Sequence, residues 1–282
     1  MKEIASMNNA EKRIDEFELG PINLKIEPGT ITSLIGNNGS GKSTILKMWM
    51  DLAKADHGNI QIFGIPVGGK DESWKGHISY QPQTVIGWSA FTGKTLKDFI
   101  APLYPNWDNH LFQEMAETLN IPLNKRFGKL SQGVQQKLNL ALTIPRNTPI
   151  LLLDEPTASI DIPSRKVVID LLSNWMDQGE RAIVMTSHQT EDTMKLADYL
   201  TVLHSGKMFG TFEKETLKDS FIRYWMKDKL PAETVPGEAA RENKIIISND
   251  AETTERYFSE NDFTFTNAEK LDLDEIIPIL LS

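Results

Sequence analysis

The sequence predicts an α/β fold built around a parallel sheet, on three observations. Thr30 to Ile35 (TITSLI) reads as a short buried strand running into Gly36-Asn37-Asn38-Gly39-Ser40-Gly41-Lys42-Ser43, and Ser43 to Leu52 behind it reads as a helix. Ile150 to Leu153 is an uninterrupted apolar strand, as expected of one buried on both faces of a parallel sheet, and it ends in Asp154 and Glu155. Strands and helices then alternate: a helix over Arg165 to Met176, a strand over Ala182 to Thr186, a helix over Glu191 to Ala197 and a strand over Leu200 to Leu203. Such alternation predicts helices on both faces of the sheet.

The remaining elements follow from local pattern. Phe17 to Ile26 (FELGPINLKI) is a strand of broken alternation, turned back by Glu27-Pro28-Gly29-Thr30. Asn59 to Phe63 and His77 to Tyr80 are further strands, the second stopped by Gln81-Pro82-Gln83. Residues 84 to 135 predict a mainly helical insert. Thr95-x-x-Asp98 matches a capping box ahead of Leu96, Phe99 and Ile100, and Leu111, Phe112, Met115 and Leu119 share one helical face within Asn109 to Leu119. Its Trp88, Phe91, Tyr104 and Trp107 suit either an interface or a small local core. Val134 to Leu142 is a further helix, and the helix over Arg165 to Met176 turns Val167, Val168, Leu171, Leu172 and Trp175 inward. Lys227 to Asn243 reads as a linker or irregular crossover. Beyond it, strands are expected over Lys244 to Ser248 and Phe263 to Phe265, and helices over Asp250 to Phe258 and Asp272 to Leu281. The expected division is residues 1–212 as one domain and 213–282 as a small α/β appendage.

Bulk composition narrows the function classes. With 282 residues, 40% hydrophobic and 24% charged, the chain has the make-up of a soluble globular protein. No run of 18 uncharged apolar residues occurs, so no membrane span is expected, and MKEIASMNNAEKR lacks the apolar stretch of a secretory signal. Cysteine is absent, which excludes disulfides and thiolate metal sites, and the five histidines have no ligand spacing. The net charge of −9 is concentrated beyond residue 212, where 16 acidic residues face 9 basic ones. Neither part has the basic excess that neutralising nucleic-acid phosphates requires.

The chemistry lies in a few short stretches. The run from Gly36 to Ser43 meets the P-loop pattern G-x-x-x-x-G-K-[ST] at every fixed position. Such a loop turns its backbone N–H groups around nucleotide phosphates, Lys42 adds positive charge on the same side, and the Ser43 hydroxyl is available to Mg²⁺. Asp154 follows Lys42 by 112 residues, at a strand end that a parallel sheet brings to the same edge. There Asp154 can hold Mg²⁺ and Glu155 can deprotonate a water. Gln83 follows one strand, Leu130-Ser131-Gln132-Gly133-Val134 opens a helix, and His188 follows the strand ending at Ser187.

Taken in this order, residues 14 to 212 resemble the ATP-binding-cassette ATPases. The resemblance implies a P-loop NTPase core with a parallel sheet, an antiparallel β edge subdomain and a helical insert. Gly36, Asn37, Asn38, Gly39, Ser40, Gly41, Lys42, Ser43 and Thr44 correspond to Walker A, and Leu151 to Glu155 to Walker B. Gln83 is similar to the Q-loop glutamine, beside the nucleotide and Mg²⁺. Ser159-Ile160-Asp161 is similar to the D-loop, and His188 to the switch histidine. Leu130 to Val134 departs from the family's LSGGQ: Gln132 replaces a glycine and Val134 the glutamine, while Ser131 and Gly133 remain. Phe17 is either the ring that stacks on adenine or a core residue of an edge strand. Tyr104-Pro105-Asn106-Trp107-Asp108 resembles a subgroup of Firmicute-type exporter ATPases encoded apart from their permeases.

The implied protein is an Mg²⁺-dependent ATPase on the inner face of the cell membrane. It would pair with a second nucleotide-binding subunit and drive a separate permease in export. A cassette ATPase that moves no solute, or one whose permease senses or removes an antibiotic, would share the chemistry. A P-loop kinase or GTPase would leave Ser131 and His188 unexplained and would need an N/T-K-x-D base-recognition tetrad, which has no suitable place here.

Overall fold

The computed structural model describes residues 3–187, 196–227 and 230–281. It divides into two compact units, Met1–Thr211 and Phe212–Ser282. In chain order the first runs β1 (Ala5–Ile14), β2 (Phe17–Ile26), β3 (Ile31–Gly36), α1 (Lys42–Trp49), β4 (His57–Ile62), β5 (Ile65–Pro66) and β6 (Ile78–Gln81). It continues through α2 (Gly93–Ile100), α3 (Asn109–Thr118), α4 (Gln132–Thr143), β7 (Ile150–Asp154), α5 (Ile162–Met176), β8 (Ala182–Thr186) and β9 (Tyr199–His204) to β10 (Lys207–Glu213).

The central sheet has the order β10-β9-β3-β8-β7-β6, and its strands from β9 to β6 pair in parallel. Every residue of β7 and β8 is buried, which explains their unbroken apolar runs. Register fixes the working edge: Thr186, the last residue of β8, stands opposite Leu34 of β3 on one side and Asp154 of β7 on the other. The loop after β3 and the acidic pair at the end of β7, Asp154 and Glu155, therefore emerge at the same edge on either side of β8. Leu34, Leu152 and Val184 belong to one core with Ile45, Leu46 and Trp49 of α1.

A second, antiparallel sheet has the order β2-β1-β4-β5. Its strand β1 was not expected, because ASMNNAEKRI alternates poorly and has weak strand propensity. Pairing on both sides imposes the extended form, with register shifts around Ala10 and Asn9 at φ 47°.

Several boundaries move for identifiable reasons. The first helix stops at Trp49 rather than Leu52. Asp51 takes φ 54°, and the N–H groups of Asp51 and Leu52 return to the Met48 and Lys47 carbonyls in a Schellman closure. Thr95 does not cap α2. Thr92 does, its hydroxyl accepting from Thr95 N–H at 3.2 Å. Helix α4 runs Gln132–Thr143, two residues earlier and one later than the expected Val134 to Leu142. Helix α5 begins at Ile162, one turn before the expected start; it buries Val168, Ile169, Leu172 and Trp175, while Val167 and Leu171 are only half-buried. The helix expected over Glu191 to Ala197 lies mostly outside the described residues.

The second unit contains α6 (Lys214–Ser220), β11 (Ile222–Met226), β12 (Glu238–Glu242), β13 (Ile245–Ser248), α7 (Ala251–Glu260), β14 (Phe265–Lys270) and α8 (Leu273–Leu280). Its antiparallel sheet has the order β12-β13-β11-β14 around a core of Tyr224, Met226, Val235, Ile246 and Phe258. The expected linker at 227–243 therefore holds a strand, β12, and a core residue, Val235. The strand expected to end at Phe265 instead begins there. It is an edge strand, exposed at all six positions, so FTNAEK carries no burial periodicity.

Helices α4 and α5 are tied through Asp161, which caps α5 by accepting from Ser164 N–H at 2.9 Å and pairs with Lys137 Nζ at 2.7 Å. The Lys137 ammonium, followed by the Ser164 N–H, holds the Asp161 carboxyl well below the usual range. A depressed folded-state value stabilises above the unfolded pKa and is lost as pH falls through the folded one. Asp161→Asn should therefore lower the urea midpoint at pH 7. The difference from wild type should persist down to about pH 4, the unfolded aspartate range, and shrink below it. A pH-independent difference would contradict the ion pair.

Candidate functional site

The loop from Gly36 to Gly41 joins β3 to α1 at the carboxyl edge of the central sheet. Gly41, the N-cap, has φ 105°, a conformation that favours glycine. Lys42 opens the helix with 7% of its surface exposed and arches back, its ammonium donating to the Gly36 carbonyl at 2.7 Å and the Asn37 carbonyl at 3.1 Å. Burial lowers its pKa, and the nearby Glu155 and Asp154 carboxylates work against that fall.

Asp154 is 2% exposed. Its Oδ1 accepts from Ser43 Oγ at 3.0 Å and Thr186 Oγ1 at 2.8 Å, and its Oδ2 from Tyr80 Oη at 3.4 Å. Burial, together with that carboxylate, pushes the Tyr80 phenol well above its ordinary value and keeps it a donor. Glu155 is 8% exposed and adopts φ 53°. That conformation costs roughly 1–3 kcal/mol and persists only where its surroundings over-determine it. Here the Glu155 N–H donates to Thr186 Oγ1 at 2.9 Å, and its carbonyl accepts from Gln136 Nε2 at 2.9 Å and Ala158 N–H at 3.1 Å.

Mg²⁺ can be tested against this donor set. It favours hard oxygens and commonly uses one or two protein groups beside substrate phosphates. Ser43 and Asp154 supply a hydroxyl and a carboxylate already in contact, so the chemistry fits. Among the described residues no group of three or more His, Cys, Asp or Glu forms a metal cage.

The other expected site residues fall around this centre. Ser131 is the exposed N-cap of α4, and its side chain makes no capping bond. Gly133 lies so close to the loop after β7 that a Cβ would meet the Ser159 carbonyl at 2.4 Å, which accounts for glycine there without reference to a ligand. Gln83 is exposed, two residues beyond β6, in a cleft of about 310 Å³ shared with Gln132, Gln136, Asn139 and Ser159. It is not among the groups bonded to Asp154. Phe17 is half-buried against the core, and its ring faces Gly41, 3.4 Å from where a Cβ would be, so the structure brings it to the P-loop. His188 lies outside the described residues.

Sequence reading missed Thr186, Tyr80 and Gln136. Thr186 and Tyr80 carried a usable signal: each is a polar group at or near the end of a buried strand whose neighbour ends in a carboxylate. Gln136 carried none, since one glutamine in Gln135-Gln136 looks like the other. Only the fold turns Gln135 to the Phe127 and Leu130 carbonyls and Gln136 to Glu155.

Comparison with known proteins agrees with this arrangement. A family profile described as "ABC transporter" matches residues 19–158. The ABC transporter ATP-binding protein YtrB of Bacillus subtilis is 31% identical over 78% of this chain and 75% of its own length. The petrobactin import ATP-binding protein FpuC of Bacillus anthracis is 29% identical over 69% of this chain and 75% of its own. The Nod factor export ATP-binding protein I of Rhizobium etli is 26% identical over 74% and 67% respectively. Among solved structures, an ATP-binding subunit of an ABC transporter matches with a TM-score of 0.69 at 18% identity, covering 77% of this chain and 92% of that one. A dimeric cassette in a post-hydrolysis state bound to ADP and Pi matches with 0.64 at 21% identity, covering 74% and 98%. The likeness to YtrB, with the matched profile and the shared fold, shows that the chain belongs to the ABC transporter ATP-binding family.

Proposed function

We propose that this chain binds and hydrolyses ATP as one of two paired nucleotide-binding subunits, and that closure of the pair drives a separate membrane permease. The observation that carries the reading is the Ser43–Asp154 contact beside the Lys42 ammonium. It puts a hydroxyl, a carboxylate and a cation at the mouth of a loop whose sequence is that of a phosphate cradle.

In this reading the loop N–H groups and Lys42 hold the β- and γ-phosphates. Ser43 and Asp154 would hold Mg²⁺, which when bound supplies charge neutralisation on the phosphates. Glu155 takes a proton from the attacking water, with its backbone pinned by Thr186 and Gln136. Phe17, beside Gly41, stacks on the adenine. Ser131 and the N-terminus of α4 face the nucleotide held by the second subunit. Gln83 and His188 report the state of the γ-phosphate. Loss of that phosphate removes contacts made only in the closed pair, so the nucleotide biases a two-state element.

Export is the direction we assign, on the likeness of Tyr104 to Asp108 to exporter subunits. Attachment to a permease would place the chain on the inner face of the cell membrane. An adjacent reading frame encoding about six apolar spans, or capture of that permease with this subunit, would test the partner.

Lys42→Ala should weaken ATP binding at least tenfold and abolish phosphate release, and normal turnover would sink the P-loop assignment. Glu155→Gln should keep ATP binding, lower kcat by about 10²–10⁴-fold, as expected for loss of a general base, and accumulate an ATP-bound dimer on size-exclusion chromatography. Wild-type turnover in that variant would remove Glu155 from its role. Ser131→Ala should lose hydrolysis while nucleotide binding by the monomer persists. Unchanged hydrolysis would speak against paired sites.

A further inference from the structure

The geometry assigns Thr186 as a positioning residue that holds the metal-side carboxylate and the general base in one fixed relation. This rests on the ATPase reading above. Strand β8 reads Ala182-Ile183-Val184-Met185-Thr186 and is buried throughout, so its one polar side chain stands where a valine would satisfy packing. At 1% exposure a hydroxyl needs partners, and Thr186 uses both of its capacities. Oγ1 donates to Asp154 Oδ1 at 2.8 Å and accepts from Glu155 N–H at 2.9 Å. Two adjacent acidic residues with different proposed duties are thus bridged by one atom from the neighbouring strand.

The bridge acts on each residue separately. Asp154 Oδ1 also accepts from Ser43, whose oxygen keeps its lone pairs for a cation after donating its hydrogen. Thr186 does not belong to the P-loop, so its bond can hold the Asp154 carboxylate in place whatever Ser43 binds. Tyr80, at 3.4 Å from Oδ2, is too long a contact to do this alone. At Glu155 the same hydroxyl satisfies the N–H of a residue in the left-handed region, φ 53°, from which its side chain departs. Without that acceptor the peptide has less reason to stay there. Outer-shell partners of this kind commonly change metal affinity or activity by about 10–100-fold when removed.

The decisive comparison is Thr186→Val with Thr186→Ser. Valine keeps the shape and removes the hydroxyl, while serine keeps the hydroxyl and removes a methyl. Each full-length variant would be assayed for ATP affinity in EDTA, for Mn²⁺ affinity of the ATP-bound protein by electron paramagnetic resonance, and for kcat with Mg²⁺. Expected for Thr186→Val are ATP affinity within about twofold of wild type, Mn²⁺ affinity weakened about tenfold or more, and kcat lowered by at least as much. Thr186→Ser should stay near wild type in all three. Equal Mn²⁺ affinity in the valine variant would overturn the assignment, as would a serine variant as impaired as the valine one. If wild type binds ATP and Mn²⁺ yet releases no phosphate, the ATPase reading fails, and the Mn²⁺ titrations still decide whether Thr186 positions Asp154. If the valine variant fails to fold, an intact wild-type-like serine variant together with a folded Thr186→Ala of weakened Mn²⁺ affinity supports the bridge. An alanine variant with wild-type Mn²⁺ affinity overturns it.

Discussion

Asp154 places a carboxyl group at the end of a strand whose other four residues are apolar and buried. Taking a carboxylate out of water costs several kcal/mol. Each hydrogen bond to a charged group returns about 1.5–3 kcal/mol. Asp154 is held there by bonds from Ser43 and Thr186, a longer one from Tyr80 and the attraction of Lys42. These partners come from three different elements: Lys42 and Ser43 of α1, Thr186 of β8 and Tyr80 of β6. The acid is therefore the point at which three elements at the sheet edge must agree. A shift of one residue in the β7–β8 register would put the Thr186 side chain on the opposite face and break the arrangement.

A second set of ties runs from that edge into the helical stretch. Gln136 reaches the Glu155 carbonyl, Lys137 reaches Asp161, and Gly133 admits the Ser159 carbonyl. Three points within five residues of α4 thus touch the loop that begins at Glu155. Ser131, which is proposed to act on the partner's nucleotide, stands at the start of the same helix. The contacts that hold the Glu155 backbone and the residue proposed to face a second subunit thus belong to one helix. Within Leu130 to Val134 the retained Gly133 packs against the 155–161 loop, and Gln132 is exposed.

Much of the first unit was legible because its signals are physically redundant. A buried parallel strand needs continuous apolar residues, and a phosphate loop needs its glycines, lysine and hydroxyl in fixed order. Both patterns survive without knowledge of the partner strands, so β3, β7 and β8 were found with their limits correct or within one residue. Elements whose shape comes from their neighbours were not legible. Strand β1 is polar and bulged, β12 sits in a stretch rich in proline and charge, and β14 is exposed on every residue. The cap of α2 was misplaced because two threonines three residues apart offered equal chemistry, and only the approach of the chain chose Thr92.

By itself the sequence determined the class of fold, the phosphate loop, the acidic strand end and the order of the motifs, because each depends on residue types at short, fixed separations. Tertiary structure decided which hydroxyls serve Asp154, what holds Glu155 in its left-handed conformation and which glutamine of an adjacent pair faces the site. Those contacts join residues 19 to 111 positions apart, such as Gln136 with Glu155 and Ser43 with Asp154. Strand register and helix rotation set them, and neither is written in any local pattern.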